Sequence, residues 1–339
     1  MPLTITVQPA GRSFSAERDG TLLAAAIAQG VALPYGCKDG ACGSCKSRLL
    51  EGRVIHGVHQ AKALSAEEEA AGLILTCCAS PQSDCVIEAR SVPAEGVHPV
   101  LKMPVRVQQL ERAAPDVLIL QLQLPATQNF RYHAGQYLEF LLKDGSRRAY
   151  SMANAPGDES RVDLHIRHMP GGKFTDHAFT QLKERDILRA EGPFGSFFLR
   201  EGDEPLVLLA SGTGFAPIKA LIEQLERSGS TRPATLYWGG RRPQDLYLDA
   251  WVREASARLP WLRYEPVVSD ALPEDGWSGR SGFVHRAVLE DLPDLRAHAV
   301  YACGAPIVVE SAQRDFVLEG GLDPERFFAD AFTSEADKH

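Results

Sequence analysis

The segment Pro34-Tyr35-Gly36-Cys37-Lys38-Asp39-Gly40-Ala41-Cys42-Gly43-Ser44-Cys45 places three cysteines in the spacing C-x4-C-x2-C. Two adjacent cysteines follow later, in Leu75-Thr76-Cys77-Cys78. Four thiolates with this spacing are typical ligands of a [2Fe–2S] cluster. The glycines among them let the backbone curl tightly, so that its N–H groups can point at sulfur and stabilise the negative cluster. The spacing therefore predicts a cluster held by Cys37, Cys42, Cys45 and one cysteine of the later pair.

Other uses of these cysteines fit the sequence less well. A structural zinc site more usually shows paired C-x2-C knuckles. A disulfide framework is disfavoured because the chain has seven cysteines, an odd number, and no secretory signal precedes them. We expect Cys85, and the adjacent cysteine that is not a ligand, to be small buried apolar side chains.

Length and composition limit the class of protein. A chain of 339 residues exceeds one ordinary core, so we expect two or three domains. No apolar run approaches the ~20 residues that span a bilayer, which predicts no membrane insertion. Residues 1–7 read as a strand and lack the layout of a signal peptide, so we expect a cytoplasmic location. The net charge of −8 argues against general nucleic-acid binding, which needs a basic surface.

Three segments with different patterns follow one another along the chain. Residues 1–92 alternate strands with short helices, and residues 91–99 have the Pro and Gly content of a linker. Residues 102–201 hold strand-like runs without a long helical pattern, which predicts a small antiparallel barrel. In residues 204–339 apolar strands alternate with helices, which predicts a parallel sheet of βα units. The predicted strands are 3–7, 12–16, 46–50, 85–90, 105–107, 117–122, 137–142, 161–166, 206–210, 235–238, 263–268 and 298–301. The predicted helices are 21–30, one opened by a capping box at 65–68, 216–227 and 249–258.

The barrel segment carries a flavin signature. Arg148-Ala149-Tyr150-Ser151-Met152-Ala153-Asn154 fits the pattern R-x-Y-S-x-x-N. The guanidinium of Arg148 can form a bidentate pair with a pyrophosphate oxygen. Tyr150 offers a flat ring to the isoalloxazine, and Ser151 can donate a hydrogen bond near N5, the flavin atom that accepts hydride.

A second motif in the same segment predicts a phosphate site. In Leu164-His165-Ile166-Arg167-His168-Met169-Pro170-Gly171-Gly172-Lys173-Phe174-Thr175, a strand runs into two glycines and then a helix start. Backbone N–H groups and the Thr175 hydroxyl can then face phosphate oxygens. By itself Gly171-Gly172 also fits a hairpin turn, but beside Arg148 and Tyr150 the phosphate site is favoured.

The third segment has a glycine-rich turn after an apolar strand, at Ser211-Gly212-Thr213-Gly214. Its glycines let a dinucleotide pyrophosphate approach the backbone, although the third glycine of the Rossmann fingerprint is missing. Near the end, Cys303 follows another apolar strand in Tyr301-Ala302-Cys303-Gly304-Ala305-Pro306. The carboxyl end of a strand is where open α/β sheets bind ligands, but Cys303 alone is better explained as a buried structural thiol.

Taken in order, these motifs resemble those of the NAD(P)H-dependent iron–sulfur flavoprotein reductases of the ferredoxin–NADP reductase superfamily. The resemblance covers nearly the whole chain and includes the reductase components of bacterial oxygenases. Residues 236–243 also resemble the CDP-6-deoxyglucoseen reductase-like branch. The resemblance implies a multidomain fold: a β-grasp plant-type ferredoxin domain at 1–92, an antiparallel β-barrel FAD domain at 102–201 and an α/β NAD(P)H domain at 204–339.

The resemblance also implies roles for individual residues. It makes Cys77 the fourth cluster ligand, because plant-type ferredoxins place theirs in Leu-Thr-Cys, and it leaves Cys78 as a buried thiol. It gives catalytic roles to Ser151 and to Cys303, the latter near the nicotinamide. Phe332 corresponds either to an aromatic side chain that flanks the flavin or to a core residue. The residues implied in cofactor binding are Arg148, Tyr150, Ser151, His165, Ile166, Arg167, Gly172, Lys173, Phe174, Thr175, Gly212, Thr213, Gly214 and Phe332.

The activity implied is transfer of hydride from NADH to FAD, followed by transfer of single electrons through the [2Fe–2S] cluster to a partner. The expected partner is a terminal oxygenase or another one-electron acceptor protein. A second hypothesis is reduction of a CDP-deoxysugar intermediate together with a dehydratase. NADPH remains possible, because Arg241 and Arg242 could meet a 2′-phosphate, whereas Asp245 would repel one. A redox-sensing module is disfavoured because all elements for turnover are present.

Overall fold

The structure is a computed structural model that describes residues 1–90, 92–93, 97–157 and 160–332. The chain divides into two compact units, one formed by residues 1–99, 195–197 and 330 onward, the other by 100–194 and 198–329. In the predicted linker 91–99, residues 91 and 94–96 lie outside the described residues, as do the last seven residues, 333–339. The three domain boundaries drawn from the sequence therefore stay predictions.

The first unit is built on a five-stranded mixed sheet in the order β2-β1-β7-β3-β5, beside a two-stranded sheet of β4 and β6. Thr21 caps helix α1, and Ser65 forms the predicted capping box with Glu68 at helix α2. The sheet and α1 enclose a core that includes Leu22 and Ile87. This is the predicted β-grasp arrangement. The elements are β1 (Leu3–Gln8), β2 (Arg12–Ala16), α1 (Leu22–Ala28), β3 (Lys46–Glu51), β4 (Val54–His56), α2 (Ala66–Ala70), β5 (Leu73–Leu75), β6 (Ala79–Pro81) and β7 (Cys85–Glu88).

The second unit begins with the predicted antiparallel barrel. Its six strands lie in the order β11-β10-β13-β8-β9-β12, and a bridge between Met152 and Leu164 joins the two end strands. Inside, apolar side chains such as Val105, Leu120 and Phe140 are buried, each stabilising the fold by ~1.5–3 kcal/mol relative to exposure. The elements are β8 (Leu101–Ala114), β9 (Val117–Gln123), β10 (Tyr137–Leu141), β11 (Arg147–Ser151), β12 (Arg161–Arg167), α3 (Lys173–Thr180) and β13 (Ile187–Phe194).

The remainder of the second unit is the predicted parallel sheet, in the order β17-β16-β15-β14-β18-β19. The chain moves outward from β14 to β17 and then returns to place β18 on the other side of β14. This reversal creates a topological switch point between β14 and β18, where such sheets bind ligands. The elements are β14 (Leu206–Ser211), α4 (Phe215–Arg227), β15 (Ala234–Gly240), α5 (Asp249–Arg258), β16 (Leu262–Val268), β17 (Arg280–Ser281), α6 (Val284–Asp291), β18 (Ala299–Gly304), α7 (Pro306–Leu318) and β19 (Phe327–Ala331).

The predicted strands are present, and most of their ends agree within three residues. The exception is the predicted strand 105–107, which is the middle of the much longer β8. Strands β11, β13, β17 and β19 were not predicted, and neither were the short strands β4 to β6. Three-residue strands carry too little alternation to detect. Within the described part of the chain, none of the helices combines the length and the apolar character that crossing a membrane requires.

Candidate functional site

The four predicted cluster ligands form two close pairs in the first unit. The backbone N–H of Cys37 donates to Cys42 Sγ, and that of Cys42 donates to Cys37 Sγ, both at 3.4 Å. The Sγ atoms of Cys45 and Cys77 are 3.2 Å apart. A [2Fe–2S] cluster takes four cysteine thiolates, two on each iron, so paired thiols fit it. All seven cysteines are thiols rather than disulfides. Among the described residues, no three His, Cys, Asp or Glu side chains form the ligand group of a single metal ion.

Glycines shape the loop between the two pairs. Gly40 and Gly43 both have a φ of +77°, a conformation that L side chains rarely adopt. A Cβ at Gly40 would lie 2.7 Å from Cys78 Sγ and 2.8 Å from the His59 Cβ. The loop therefore needs glycine at position 40, both for its backbone conformation and for its close contact with His59 and Cys78.

The two thiols of the first pair have pKa values shifted in opposite directions. A hydrogen bond from Cys37 lowers the pKa of the Cys42 thiol to about 6, and the same interaction raises the pKa of Cys37. The thiolate, rather than the thiol, is the metal ligand. Cys42 is therefore the more acidic thiol of the pair.

The predicted flavin residues lie on two strands whose ends are bridged. Arg148, Tyr150 and Ser151 belong to β11, whereas His165 to Arg167 belong to β12. The Tyr150 ring packs against Phe174 of α3, with centroids 5.4 Å apart, and burial raises its pKa. Ser151 is buried. The structure thus brings the R-x-Y-S strand next to the helix that follows the two glycines.

The start of α3 has the form predicted for a phosphate site. Gly171 has a φ of +81°, and α3 begins after Gly172 without a side-chain cap, which leaves first-turn N–H groups for an anion. The Thr175 hydroxyl accepts from the Met169 N–H at 3.2 Å and donates to the Met169 carbonyl at 2.9 Å. It holds the turn in shape, and its contact with phosphate stays a prediction. Lys173 Nζ pairs with Asp144, 2.6 Å away.

The glycine-rich turn and Cys303 meet at the switch point of the parallel sheet. Gly212 to Gly214 form a single 3₁₀ turn after β14, and Cys303 pairs with Ala210 across β14 and β18. A Cβ at Gly214 would overlap the Cys303 carbonyl oxygen, and one at Gly304 would lie 2.5 Å from the Ser211 oxygen. Two motifs about ninety residues apart in sequence therefore form one surface.

Contacts within the second unit join the flavin strand β12 to the nucleotide turn. His165 Nδ1 shares a 2.8 Å hydrogen bond with the Tyr247 hydroxyl. Arg167 donates to Asp245 at 3.1 Å. The indole of Trp238 donates to the Gly212 carbonyl at 3.0 Å. A Cβ at Gly212 would also lie 2.8 Å from Arg167 Nη1, so the strand that carries predicted flavin residues and the predicted nucleotide turn are adjacent.

Two of these residues were not predicted as site residues. Trp238 lies in the Tyr-Trp-Gly-Gly-Arg segment that carried part of the resemblance, so a signal for it existed. Tyr247 had no local signal, because its partner His165 is distant in sequence. Phe332 is half-buried and belongs to the first unit, and its role stays a prediction.

A cavity of about 700 Å³ opens beside this site. Its walls include Arg241, Arg242 and Asp270. Arg242 forms a bidentate pair with Asp275 at 2.6 and 2.7 Å, and Arg241 pairs with Asp270 at 3.3 Å. Asp245 accepts hydrogen bonds from the backbone N–H groups of both arginines. Both arginines already have a carboxylate partner.

Each of the three segments matches a known domain family. Residues 5–82 match the 2Fe-2S iron-sulfur cluster binding domain. Residues 104–199 match the oxidoreductase FAD-binding domain, and residues 208–314 match the oxidoreductase NAD-binding domain. The three matches follow the same order as the motifs.

Relatives are similar over nearly the whole chain. The CDP-6-deoxy-L-threo-D-glycero-4-hexulose-3-dehydrase reductase of Yersinia pseudotuberculosis is 40% identical, covering 98% of this chain and 99% of the relative. Reductase component 1 of terephthalate 1,2-dioxygenase from a Comamonas species is 37% identical, covering 94% of each chain. The crystal structure of the Amycolatopsis cytochrome P450 reductase GcoB superposes with a TM-score of 0.81 at 34% identity, covering 98% of this chain and 99% of that one.

The buried His165 makes the stability of the second unit depend on pH. Burial, assisted by Lys219, lowers the pKa of His165 to about 3, whereas an unfolded histidine has a pKa of about 6.5. Between these values only the unfolded chain binds the proton, so the stability contributed by neutral His165 is complete above about pH 6.5 and falls as pH falls toward 3. We expect His165 to remove about 3 kcal/mol of unfolding free energy between about pH 7 and pH 4.

The measurement is urea unfolding followed by tryptophan fluorescence, because all four tryptophans lie in the second unit. His165→Asn keeps a polar atom near Tyr247 but cannot titrate, and it should flatten the pH dependence. The half-buried His177 supplies the matched control, His177→Asn. Equal pH dependence in wild type and His165→Asn would contradict the prediction.

Proposed function

The chain belongs to the iron–sulfur flavoprotein reductases that combine [2Fe–2S], FAD-binding and NAD-binding domains, and we propose that the residues grouped above carry the transfers of that family. The protein is an oxidoreductase that takes hydride from NADH onto FAD and passes single electrons through a [2Fe–2S] cluster to an acceptor protein. When bound, FAD supplies the conversion from paired to single electrons, and the cluster supplies a carrier at roughly −400 mV.

The observation that carries the assignment of residues is the contact between β12 and the nucleotide turn. A Cβ at Gly212 would lie 2.8 Å from Arg167 Nη1, so the β12 strand lies directly against the turn. His165 extends the contact through Tyr247, whose ring packs against Trp238, and Trp238 donates to the Gly212 carbonyl. We assign the nucleotide pyrophosphate to the turn Gly212-Thr213-Gly214, whose lack of side chains allows close approach to the backbone. Cys303, directly against this turn, is assigned to the nicotinamide end.

The flavin is assigned to β11 and to the start of α3. With FAD bound, Arg148 would neutralise the pyrophosphate, Tyr150 would present its ring to the isoalloxazine, and Ser151 would supply a hydrogen-bond donor to the flavin. The uncapped first turn of α3 would bind phosphate through its N–H groups, and Thr175 holds that turn through its hydrogen bonds to Met169. His165 stays neutral because it is buried, so it adds no charge beside the flavin.

We propose a terminal oxygenase as the electron acceptor and the cytoplasm as the location. The Comamonas relative is the reductase component of a dioxygenase, and GcoB is a reductase for a cytochrome P450. Thiol ligands stay reduced in the cytoplasm, which supports that location. The 40% identity to a CDP-hexulose dehydrase reductase favours a second candidate, a deoxysugar dehydrase as the acceptor.

Reconstitution with each acceptor separates the two candidates. NADH-driven turnover of a Rieske or cytochrome P450 oxygenase, without turnover of the CDP-hexulose dehydrase, would support the first. The opposite pattern would support the second.

The cluster assignment predicts a selective loss in Cys42→Ser. We expect reduction of one-electron protein acceptors such as cytochrome c to fall at least about 100-fold, because the first thiol pair is broken. NADH–ferricyanide activity, which needs only the flavin, should stay within about twofold. Cys85→Ser, at a buried thiol away from the two pairs, is the matched control. Retention of both activities in Cys42→Ser would show that Cys42 is not a ligand.

The position of Cys303 predicts a role in the hydride step. Cys303→Ala should slow flavin reduction by NADH by at least about tenfold, or about 1.4 kcal/mol of barrier, in anaerobic stopped-flow measurements. Cluster absorbance should not change, because the first unit is not altered. An unchanged rate would assign this buried thiol to packing alone.

The ion pairs at the cavity predict a preference for NADH. A 2′-phosphate would need a guanidinium without a partner, but Asp275 already holds Arg242 by two hydrogen bonds. Asp275→Asn keeps an acceptor for the Leu272 N–H while removing the charge. It should raise kcat/KM for NADPH at least about tenfold, or about 1.4 kcal/mol, with little change for NADH.

Asp294→Asn is the matched control for this prediction, since Asp294 holds Arg296 in a similar bidentate pair on the surface. If wild type used NADPH as well as NADH, or if Asp275→Asn left the ratio unchanged, the ion pair would not determine nucleotide choice.

A further inference from the structure

The thiol of Cys78 lies directly beside the fourth cluster ligand. Its Sγ is 3.5 Å from Cys77 Sγ, which in turn is 3.2 Å from Cys45 Sγ. Only 9% of Cys78 is exposed. Three sulfur atoms therefore lie together at the Cys45–Cys77 pair, whereas one iron of a [2Fe–2S] cluster takes two cysteine ligands.

Cys78 also touches the loop that carries the other ligand pair. A Cβ added at Gly40 would lie 2.7 Å from Cys78 Sγ, so this sulfur occupies the space that a side chain at position 40 would fill. Gly40 stands between the ligands Cys37 and Cys42. The Cys78 sulfur thus faces the cluster loop rather than the apolar core alone.

The backbone of Cys78 is held on both sides, so only its side chain needs to move. Its N–H donates to the Leu75 carbonyl at 2.9 Å, and its carbonyl accepts from the Gly57 N–H at 2.8 Å. Rotation about Cα–Cβ places Sγ in one of three staggered positions. Cys85 differs, because its thiol donates to the Ser83 carbonyl, 3.2 Å away.

We propose that Cys78 is a reserve ligand of the cluster, taking the place of Cys77 when that sulfur is lost. The inference rests on the proposed cluster site. The step is a ligand exchange: the Cys78 thiol releases its proton to solvent, and its sulfur donates an electron pair to the iron site that Cys77 vacates. No sulfur is oxidised or reduced. With the Cys78 thiolate in the place of Cys77, all four ligands of the cluster would still be cysteine sulfurs.

The test compares iron and acid-labile sulfide per FAD in five variants of the whole protein: Cys77→Ala, Cys78→Ala, Cys77→Ala/Cys78→Ala, Cys42→Ala and Cys85→Ala. Cys78→Ala and Cys85→Ala should match wild type. Cys77→Ala should keep at least half of the iron, with a changed electron paramagnetic resonance spectrum. The double variant should keep less than a tenth, as should Cys42→Ala, because Cys78 lies beside the Cys77 sulfur and is proposed to replace that ligand alone.

Two outcomes would overturn the proposal. Cys77→Ala losing as much iron as the double variant would show that Cys78 cannot substitute. Loss of iron in Cys78→Ala with retention in Cys77→Ala would make Cys78 the primary ligand instead. If Cys77→Ala fails to fold, as judged by soluble yield and far-ultraviolet circular dichroism, Cys77→Ser is compared with Cys77→Ser/Cys78→Ala, and equal iron in both would refute the role of Cys78. Absence of iron from wild type would refute the proposed function itself, a separate result.

Discussion

At the ends of β14 and β18, two backbone segments approach each other more closely than side chains allow. The Cys303 carbonyl occupies the place of a Cβ at Gly214, and the Ser211 carbonyl lies against the position of one at Gly304. Only glycine satisfies this constraint at both positions. The close approach brings the nucleotide turn and Cys303 together at the point where the strand order reverses. The remaining contacts of the site, through Trp238 and the neighbouring flavin strand, are built around that turn.

The charges of the arginines at this site are balanced by ion pairs with carboxylates. Arg167, Arg241 and Arg242 all reach the cavity, and each has a carboxylate within ion-pair distance. His165 contributes no charge because burial keeps it neutral. A cavity that contains several arginines is therefore not a strong anion site, since a bound anion has to compete with carboxylates that are already in place. Counting basic residues in the sequence would overestimate its affinity for a 2′-phosphate.

In the first unit, close packing also determines where the sulfur atoms lie. The Cys37–Cys42 pair is local in sequence and is held by N–H to sulfur hydrogen bonds across one loop. The Cys45–Cys77 pair joins that loop to a segment after β5, which closes the site. Gly40 admits a further sulfur, that of Cys78, against the loop. The loop glycines thus serve two purposes, because they permit the left-handed conformation and also leave room for thiols.

The sequence by itself determined the features that depend on neighbouring residues: the cysteine loop, the R-x-Y-S motif, the turns at Gly172 and Gly212 and most strands. These are encoded locally because backbone conformation depends on the residue and its immediate neighbours. Only the tertiary structure decided which distant residues meet. His165 and Tyr247 are 82 residues apart, Arg242 and Asp275 are 33 apart, and the side that the Cys78 sulfur faces depends on Gly40. Such pairs follow from strand order and close packing, which a local pattern does not specify.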